Sequence, residues 1–228
     1  MDFEVNVIIP ASGKGSRFGG DIPKQFVEIN GEPILKHTIR IFENCEFVNN
    51  IIVTADPEYI PVIMDFGFSK IRHIIQGGTS RGESVYNALQ TISPFDGVVL
   101  IHDGIRLFIS KEKISEVAIT AYESGAAVIG YPTTDTIKIA DEKKRVIDTP
   151  DRSVLWQVQT PQGFRYNIIR KAYETAGDFL NTATDDSQLV EKTGQKVSLV
   201  LGDKNNIKIT TPFDLMVGEY IFERIYNQ

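Results

Sequence analysis

Five short apolar runs rich in β-branched residues recur along the chain, separated by segments with helical spacing. The runs are VNVIIP (5–10), NIIVTA (50–55), IRHIIQ (71–76), GVVLIH (97–102) and AAVIGY (126–131). Runs of this length and composition, bounded by turn residues, predict buried strands. Because strands that alternate with helices form parallel sheets covered on both faces, the pattern predicts a doubly wound, mostly parallel α/β fold.

Two helix starts can be placed from their capping residues. Asp56 precedes Pro57, and Thr211 precedes Pro212 with Asp214 in the following turn. A capping side chain before a proline at the first helical position is a strong start signal. We expect helices to begin at both places.

The pattern changes between Thr136 and Thr149, where TIKIA and RVIDT flank the charged turn DEKK. Such a sequence predicts a β-hairpin, which we place in an arm of about residues 136–152. A two-stranded hairpin has too little apolar surface to be stable alone. The arm therefore packs on its own domain or reaches a partner subunit, and the second arrangement implies a homodimer.

The composition is that of an ordinary globular protein, with 228 residues, 42% of them hydrophobic and 24% charged. We expect a single domain, 1–228. No apolar run approaches the roughly 18 residues that span a membrane, and the acidic N-terminus does not resemble a signal peptide, so we expect a cytoplasmic protein. A lone cysteine, Cys45, and three histidines argue against disulfides and structural zinc; Cys45 is expected at a helix end or in the core.

The net charge of −6 and the pI near 5.2 argue against nucleic-acid binding, which needs a basic face. Local clusters of cations on an acidic protein instead indicate a small anionic ligand. In open α/β sheets, ligands bind at the carboxyl ends of the strands. The loops that follow VNVIIP, IRHIIQ and GVVLIH are therefore expected to share one crevice.

The loop after the first run is rich in small residues: Ala11, Ser12, Gly13 and Gly15. Small residues let the backbone approach a ligand and offer it successive N–H groups. The spacing fits neither a Walker A loop nor a dinucleotide fingerprint, since Phe18 stands where the latter needs a small residue. The spacing leaves two alternatives, a phosphate cradle or an ordinary glycine-rich turn.

Two cations near this loop, Arg17 and Lys24, favour the phosphate cradle. A triphosphate carries about four negative charges, and transfer at its α-phosphorus moves more charge onto the leaving pyrophosphate. Fixed cations would stabilise that charge. Each residue alone is as readily a solvated surface cation, so the inference depends on both lying beside the glycines.

The stretch ASGKGSRFGGDIPKQF resembles the nucleotide-binding segment of the CDP-polyol-forming cytidylyltransferases, chiefly the 2-C-methyl-D-erythritol 4-phosphate cytidylyltransferase family. The resemblance continues in order over nearly the whole chain through GEPILKHTI, GGTSRGESV, HDGIR, PTTDTIK, DRSVLWQVQTPQGF, TDDSQLVE and NNIKITTPFDL. It implies a Rossmann-like, nucleotidyltransferase-type sheet with a protruding β-hairpin arm. It also implies transfer of a cytidylyl group from CTP to a polyol phosphate, with release of pyrophosphate.

Carried over by resemblance, Arg17, Lys24 and Lys208 are the catalytic cations. CTP would lie against the small-residue loop, with Gly77 and Ser84 reading the cytosine; otherwise Ser84 is part of a capped loop that satisfies backbone donors. Asp103, which follows an apolar strand, would hold ribose hydroxyls or Mg²⁺, although a strand-end turn is the competing reading. His102 is expected to be a packed structural residue.

The phosphate of the polyol phosphate would be held by Thr136, Arg152 and Lys208, with the arm residues reaching a neighbouring subunit's site. Arginine suits this role because its planar fork binds two phosphate oxygens at once. Arg106 is a further candidate for binding the acceptor, and Asp185 would contact the acceptor's hydroxyls. For Asp185 an N-terminal helix cap is an equally good reading. Trp156 and Gln159–Gln162 are expected to form a packing anchor and a loop, with no catalytic role for Thr160.

The chain departs from the family pattern in two places. Gly104 and Ile105 precede Arg106, and Leu107 follows it, where relatives have Ala-Ala-Arg-Pro. The loop lacks the stiffness of that proline, so the shape of the acceptor pocket does not follow from the resemblance. Asn205 and Asn206 stand where related sugar nucleotidyltransferases often have a second metal-binding aspartate. Mg²⁺ would then be held mostly by the nucleotide's phosphates.

Three other functions remain open at this stage. The same chemistry on ribitol 5-phosphate is the closest rival. A nucleotide-binding domain without turnover is favoured by the altered HDGIR loop and the Asn205–Asn206 pair. An NAD-dependent oxidoreductase is disfavoured by Phe18.

Overall fold

A computed structural model describes the backbone of residues 3–13 and 22–226, and the side chains of 3–13 and 22–224. Its centre is a seven-stranded sheet in the order β11-β7-β10-β6-β1-β4-β5. These strands are β1 (Glu4–Ala11), β4 (Asn50–Ala55), β5 (Ile71–Gln76), β6 (Gly97–Ile101), β7 (Ala126–Pro132), β10 (Trp156–Arg165) and β11 (Ser198–Leu201).

The sheet is mixed because one strand runs against its neighbours. Strand β10 pairs antiparallel with β6 and β7, whereas the other pairings of the sheet are parallel. The five predicted strands are confirmed, and β4 and β5 have the predicted bounds. The expectation of a loop at Gln159–Gln162 is wrong: this segment belongs to β10, where the pairing with β7 shifts register between Val158 and Gln162.

Helices cover both faces of the sheet. The α-helices are α1 (Ile34–Glu43), α2 (Ile60–Met64), α3 (Arg81–Gln90), α4 (Lys111–Ser124), α5 (Tyr166–Glu174), α6 (Asp186–Glu191) and α7 (Pro212–Tyr226). Short 3-10 helices span Lys24–Phe26, Pro57–Tyr59, Arg152–Val154 and Gly177–Asn181. Among the described residues, no helix combines the length and apolar character that crossing a membrane would need.

Both predicted helix starts are confirmed. The Asp56 carboxylate accepts a hydrogen bond from the Glu58 backbone N–H at 3.2 Å, at the start of a 3-10 helix that leads into α2. At the start of α7, the Asp214 backbone N–H donates to Thr211 Oγ1 at 3.2 Å. The Asp214 carboxylate in turn accepts from the Thr210 and Thr211 backbone N–H groups. This reciprocal capping fixes the chain just after Lys208.

The alternation of side chains along the strands divides the core into two layers. Val5, Val7 and Ile9 of β1 pack with α1 and α4 in one layer, and Ile8 packs with α3 and α5 in the other. Cys45 is 1% exposed and belongs to the first layer, as expected. Burying each such aliphatic side chain contributes roughly 1.5–3 kcal/mol, so the sheet is a rigid support for the loops at its edge.

The predicted hairpin is present. Strands β8 (Ile139–Ala140) and β9 (Val146–Asp148) pair antiparallel, separate from the main sheet. Their apolar side chains lie open, with Ile147 66% exposed and Val154 beyond them 71% exposed. Two further short strands, β2 (Glu28–Ile29) and β3 (Glu32–Pro33), pair before α1.

Candidate active site

A cavity of about 490 Å³ opens at the carboxyl ends of β1 and β6, beside the first residues of α3. This is the crevice that the strand pattern predicts. The loops after β1, β5 and β6 all contribute to it, as does the segment before α7. Its described lining comprises Pro10, Ala11, Ser12, Gly13, Lys24, Gln25, Gly78, Thr79, Ser80, Arg81, Asp103, Gly104, Ile105 and Lys208.

The cavity wall between β1 and α3 is a close contact of two loops. Ser12 Oγ lies 3.0 Å from Ser84 Oγ, and Ser84 Oγ accepts from the Gly78 backbone N–H at 3.0 Å and donates to the Ser80 carbonyl at 2.8 Å. A side chain at Gly77 would place its Cβ 2.2 Å from Ser12 Oγ, so only glycine permits this approach. Ser84 is fully buried. Its hydroxyl bonds to backbone groups of its own loop, which is the role that the sequence offers as the alternative to reading the cytosine.

Lys24 is presented to the cavity by a short 3-10 helix that is attached to the end of β1. The next residue, Gln25, is 3% exposed and donates from Nε2 to the Ala11 carbonyl at 2.6 Å. Phe26 stacks on Tyr59 with ring centroids 4.2 Å apart. Because both neighbours are anchored, the Lys24 backbone is fixed at the cavity rim.

Asp103 is the electrostatic centre of the site. Its carboxylate lies 2.9 Å from Lys208 Nζ, 3.3 Å from Arg81 Nε and 3.5 Å from Arg106 Nε. Burial would raise the pKa of this carboxyl, but the three cations hold that pKa far below its ordinary value. Asp103 is therefore a carboxylate at every physiological pH, and it gathers cations from α3, its own loop and the segment before α7.

The floor beneath Asp103 is a buried polar network. The Asp103 backbone N–H donates to Thr160 Oγ1 at 3.0 Å, and this hydroxyl lies 3.2 Å from His102 Nδ1. The His102 ring is fully buried, and its Nε2 donates to the Arg106 carbonyl at 2.8 Å. Burial lowers the pKa of His102 to about 4, so the ring is neutral and structural, as expected. Thr160 likewise supports the Asp103 loop.

Asn206 completes this floor from the other side. It is fully buried, its Nδ2 donates to the Thr160 carbonyl at 3.0 Å, and its own carbonyl accepts from Arg106 Nη1 at 2.7 Å. Asn206, which departs from the metal-binding pattern, thus binds the Arg106 guanidinium directly and ties the segment before Lys208 to β10.

Sequence reasoning missed one pair at the cavity, Arg81 with Asp186. The guanidinium donates to both carboxylate oxygens at 2.9 and 2.8 Å, in a bidentate geometry. Asp186 is 1% exposed. The adjacent aspartates of TDDSQLVE do indicate an acidic residue near the cavity, but the sequence-based candidate is Asp185 and the residue that pairs with Arg81 is Asp186.

Asp185 is the N-terminal cap of α6. Its carboxylate accepts from the Gln188 backbone N–H at 2.9 Å and from Gln162 Nε2 at 2.9 Å. Asp185 is absent from the described cavity lining. The capping interpretation is thus confirmed, and the proposed contact with acceptor hydroxyls stays a prediction.

The other predicted site residues fall into four groups. Ala11, Ser12, Gly13, Lys24, Asp103 and Lys208 line the cavity. Arg106 lies behind Asp103 with its side chain 12% exposed, and Gly77 adjoins the wall. Thr136 and Arg152 lie exposed on the arm, where Arg152 Nη1 donates to the Thr134 carbonyl at 2.9 Å. The predictions for Gly15 and Arg17 lie outside the described residues.

The charge of the cavity suits an anion. Its described lining carries three cations, Lys24, Arg81 and Lys208, against the single carboxylate of Asp103, although the chain as a whole carries a net charge of −6. Within the described ranges, no group of three His, Cys, Asp or Glu side chains is arranged to hold a metal ion. A divalent cation here would depend on the ligand's oxygens in addition to Asp103.

Comparison with known proteins agrees with this geometry. Residues 5–224 match the model of the IspD family, 2-C-methyl-D-erythritol 4-phosphate cytidylyltransferase. The protein of that name from Alkaliphilus oremlandii is 44% identical over 225 residues, which cover 96% of this chain and 95% of the relative. The one from Geobacter metallireducens is 40% identical over 230 residues, which cover 97% and 99%.

Solved structures give the same result at the level of the fold. The 4-diphosphocytidyl-2C-methyl-D-erythritol synthase from Anaerococcus prevotii superposes with a TM-score of 0.86 at 30% identity, over 97% of each chain. The 2-C-methyl-D-erythritol 4-phosphate cytidylyltransferase from Thermus thermophilus superposes with a TM-score of 0.80 at 32% identity, over 96% of this chain and 98% of that one.

Proposed function

This chain belongs to the 2-C-methyl-D-erythritol 4-phosphate cytidylyltransferase family, and from that premise we propose how the cavity beside Asp103 carries out the reaction. The enzyme transfers a cytidylyl group from CTP to 2-C-methyl-D-erythritol 4-phosphate, giving the CDP-polyol and pyrophosphate for isoprenoid precursor synthesis by the non-mevalonate route. The observation that carries the assignment to this cavity is the convergence of Lys24, Arg81 and Lys208 on one space.

The proposed chemical step is an in-line displacement. A phosphate oxygen of the acceptor forms a bond to the α-phosphorus of CTP while the bond from that phosphorus to the bridging oxygen breaks, and pyrophosphate leaves with the electron pair. The acceptor phosphate is already an anion, so the step requires no general base. Charge accumulates on the leaving group and on the equatorial oxygens, and fixed cations stabilise it. Lys24 and Lys208, with Arg17 as the third predicted cation, supply that stabilisation.

Asp103 orients this machinery. Its Oδ2 lies 2.9 Å from Lys208 Nζ, so it fixes the ammonium group at the cavity before substrate binds. A cation that is already in place loses no energy to reorganisation during the reaction. The remaining lone pairs of the carboxylate would accept hydrogen bonds from the ribose hydroxyls of CTP.

Mg²⁺ is proposed as the cofactor, held chiefly by the triphosphate. Mg²⁺ in nucleotide sites commonly binds one or two carboxylates and completes its shell with phosphates and water. Asp103 is the only carboxylate in the described lining of the cavity, so the cavity offers the ion at most one carboxylate and the phosphates would supply the other ligands. When bound, the ion would neutralise phosphate charge alongside Lys24 and Lys208.

The arm supports a homodimer. In the hairpin Ile139 is 47% exposed and Ile147 66%, and Val154 just beyond the arm is 71% exposed, an apolar surface that a second subunit would cover. We propose that Thr136 and Arg152 serve the acceptor phosphate of the neighbouring subunit's cavity, since neither lines the cavity of its own subunit among the described residues.

Subunit mixing tests the arm. Lys24→Ala and Arg152→Ala would each abolish most activity, yet in a mixed dimer one of the two sites has its Lys24 and receives Arg152 from the partner. After mixing under conditions of subunit exchange, up to about a quarter of wild-type activity should return, because half of the dimers are mixed and each has one intact site. No recovery, with exchange confirmed by mass spectrometry, would refute the shared site.

The function itself is tested by pyrophosphate release with CTP, UTP, ATP and GTP, each crossed with 2-C-methyl-D-erythritol 4-phosphate and ribitol 5-phosphate. We expect turnover with CTP and the methylerythritol acceptor, and none without Mg²⁺. Faster turnover with ribitol 5-phosphate would overturn the acceptor assignment. Saturable CTP binding without pyrophosphate release would identify a nucleotide-binding domain without catalysis. The cytoplasmic location inferred from the sequence stays a prediction.

A further inference from the structure

Asp186 is a buried carboxylate next to the cavity that the reaction scheme above does not use. It is the first residue of α6, and its side chain is 1% exposed. One oxygen, Oδ1, accepts from Arg81 Nη1 at 2.9 Å and from the Tyr173 hydroxyl at 2.5 Å, and the other accepts from Arg81 Nη2 at 2.8 Å. All three contacts come from other elements, so Asp186 joins α3, α5 and α6 at one point.

The bidentate pair with Asp186 fixes the orientation of the Arg81 guanidinium. Both terminal nitrogens face Asp186, which turns the Nε edge toward Asp103 Oδ1 at 3.3 Å. The Arg81 side chain keeps 32% of its surface exposed and lines the cavity. A guanidinium held on two sides by carboxylates has little rotational freedom, because a bidentate pair fixes its plane as well as its position.

The element that carries Asp186 is itself fixed to the sheet. Gln162 of β10 accepts from the Ser187 backbone N–H at 3.0 Å and donates to Asp185 Oδ2 at 2.9 Å. Tyr173 is 3% exposed and approaches from α5. The support for Arg81 therefore extends through Asp186 to the central sheet, a chain of contacts that a merely solvent-facing ion pair would not need.

From this geometry we infer that Asp186 is a positioning residue for nucleotide binding, acting through Arg81, with the Tyr173 hydroxyl as the group that orients Asp186. The inference rests on the proposed function, because it takes the triphosphate of CTP as the anion that meets Arg81. Asp186 does not touch the substrate. Its effect is to keep the guanidinium at the cavity wall beside Asp103, so that the cation does not turn to bind Asp103 with its terminal nitrogens.

The test is Asp186→Asn, measured by steady-state kinetics with each substrate varied in turn. The amide keeps the shape of the side chain but places an NH₂ group against the guanidinium, so the fork is lost. We expect the KM for CTP to rise about 10-fold and kcat/KM for CTP to fall about 10- to 100-fold, by analogy with the loss seen when a group that orients a metal ligand is removed. The KM for the polyol phosphate should stay within about 2-fold. A merely structural defect would lower kcat through a smaller active fraction and leave both KM values unchanged.

A double-mutant cycle with Arg81→Ala identifies the route of the effect. If Asp186 acts through Arg81, the Asn substitution should change kcat/KM by less than about 2-fold once Arg81 is absent. An equal loss in both backgrounds would overturn the inference. So would a change below about 2-fold in the wild-type background. Turnover of the wild-type enzyme with CTP and methylerythritol phosphate tests the proposed function separately.

Two further variants keep the test decisive. Glu32→Gln is the matched control, since Glu32 binds Arg40 in the same bidentate way at 2.5 and 2.8 Å and is absent from the described cavity lining. The kinetic constants of Glu32→Gln should equal those of the wild type. Should Asp186→Asn fail to fold, Tyr173→Phe removes one hydroxyl and keeps the fork. A 2- to 5-fold rise in the KM for CTP, absent from the Arg81→Ala background, is then expected, and an unchanged KM would contradict the inference.

Discussion

Acid should destabilise this protein to a large extent through the buried imidazole of His102. His102 is fully buried beneath Asp103, with its ring edge against Phe42 at a centroid distance of 4.9 Å. Because the Arg106 carbonyl can only accept, the hydrogen bond of 2.8 Å places the ring proton on Nε2. The other nitrogen, Nδ1, is then an acceptor for the Thr160 hydroxyl. A second proton on the ring, at Nδ1, would remove the acceptor of the Thr160 hydroxyl proton.

The magnitude follows from the difference in pKa between the folded and unfolded states. Burial lowers the pKa of His102 from 6.5 to about 4 in the folded protein, so the unfolded chain takes up the proton first. Stability is therefore greatest above pH 6.5, falls as the pH drops below that value, and levels off below about 4. Linkage gives a loss of about 2 kcal/mol between pH 7 and pH 5, a substantial share of the 5–15 kcal/mol that stabilises a typical domain.

The assay is urea unfolding at half-unit steps between pH 7 and pH 5, for the wild type and for His102→Gln. Glutamine can donate to the Arg106 carbonyl and accept from Thr160 without binding a proton. The variant should therefore lose about 2 kcal/mol less than the wild type over this range. His73→Gln is the control, because it removes an exposed imidazole on β5 and leaves the buried ring in place.

Burial also lowers the pKa of His37, and its contribution is common to wild type and variant, so the comparison cancels it. The depressed pKa values of Asp103 and Glu32 affect stability mainly below about pH 4.5, where these carboxylates take up protons in the unfolded chain. Unfolding free energies of the wild type and His102→Gln that fall in parallel from pH 7 to pH 5 would refute the reasoning.

Three other outcomes are expected. Lys24→Ala should lower kcat by about 100-fold or more, the scale of a preorganised charge contact, while circular dichroism shows an unchanged fold; unchanged turnover would remove Lys24 from the mechanism. Chelation of divalent cations should abolish pyrophosphate release, which added Mg²⁺ then restores; activity that persists in excess chelator would refute the Mg²⁺ proposal. Glu32→Gln should lower the free energy of unfolding at pH 7 by about 1 kcal/mol, because the Glu32 carboxylate pairs with Arg40 and Lys36 at the surface. An unchanged midpoint of urea unfolding would contradict this value.

Much of the fold was predictable because local sequence and tertiary structure agree. The β-branched runs of β4 and β5 are bounded by polar residues or turns, and the structure has them at the predicted residues. Strand β10 was not predictable in this way. Its centre, Gln159-Thr160-Pro161-Gln162, has no apolar alternation and contains a proline. The strand continues through it because Trp156–Val158 pair with β7 and Gln162–Arg165 pair with β6, on either side of the register shift.

The candidate site likewise has a part that the sequence predicts and a part that it does not. The positions of Lys24, Asp103 and Lys208 followed from the resemblance and from the rule that ligands bind at the carboxyl ends of strands. Neither the resemblance nor that rule shows which of Asp185 and Asp186 pairs with a cation at the cavity. Asp185 is the cap and Asp186 the first residue of α6, and by sequence either could face the cavity. The contacts of this segment with Gln162 and Tyr173 decide between them, and those contacts are long-range.

The pairing of charges also bears on what Asp103 does. Its two oxygens already lie within 3.5 Å of Lys208, Arg81 and Arg106, so a metal ion at Oδ2 would have to share that oxygen with an ammonium group at 2.9 Å. The repulsion between two cations so close together is large in a partly buried site. Holding Lys208 therefore accounts for Asp103 better than metal binding does. In the proposed function, the triphosphate brings enough negative charge for both the lysines and the ion, so the proposed Mg²⁺ would bind the phosphates while Asp103 positions Lys208 beside them.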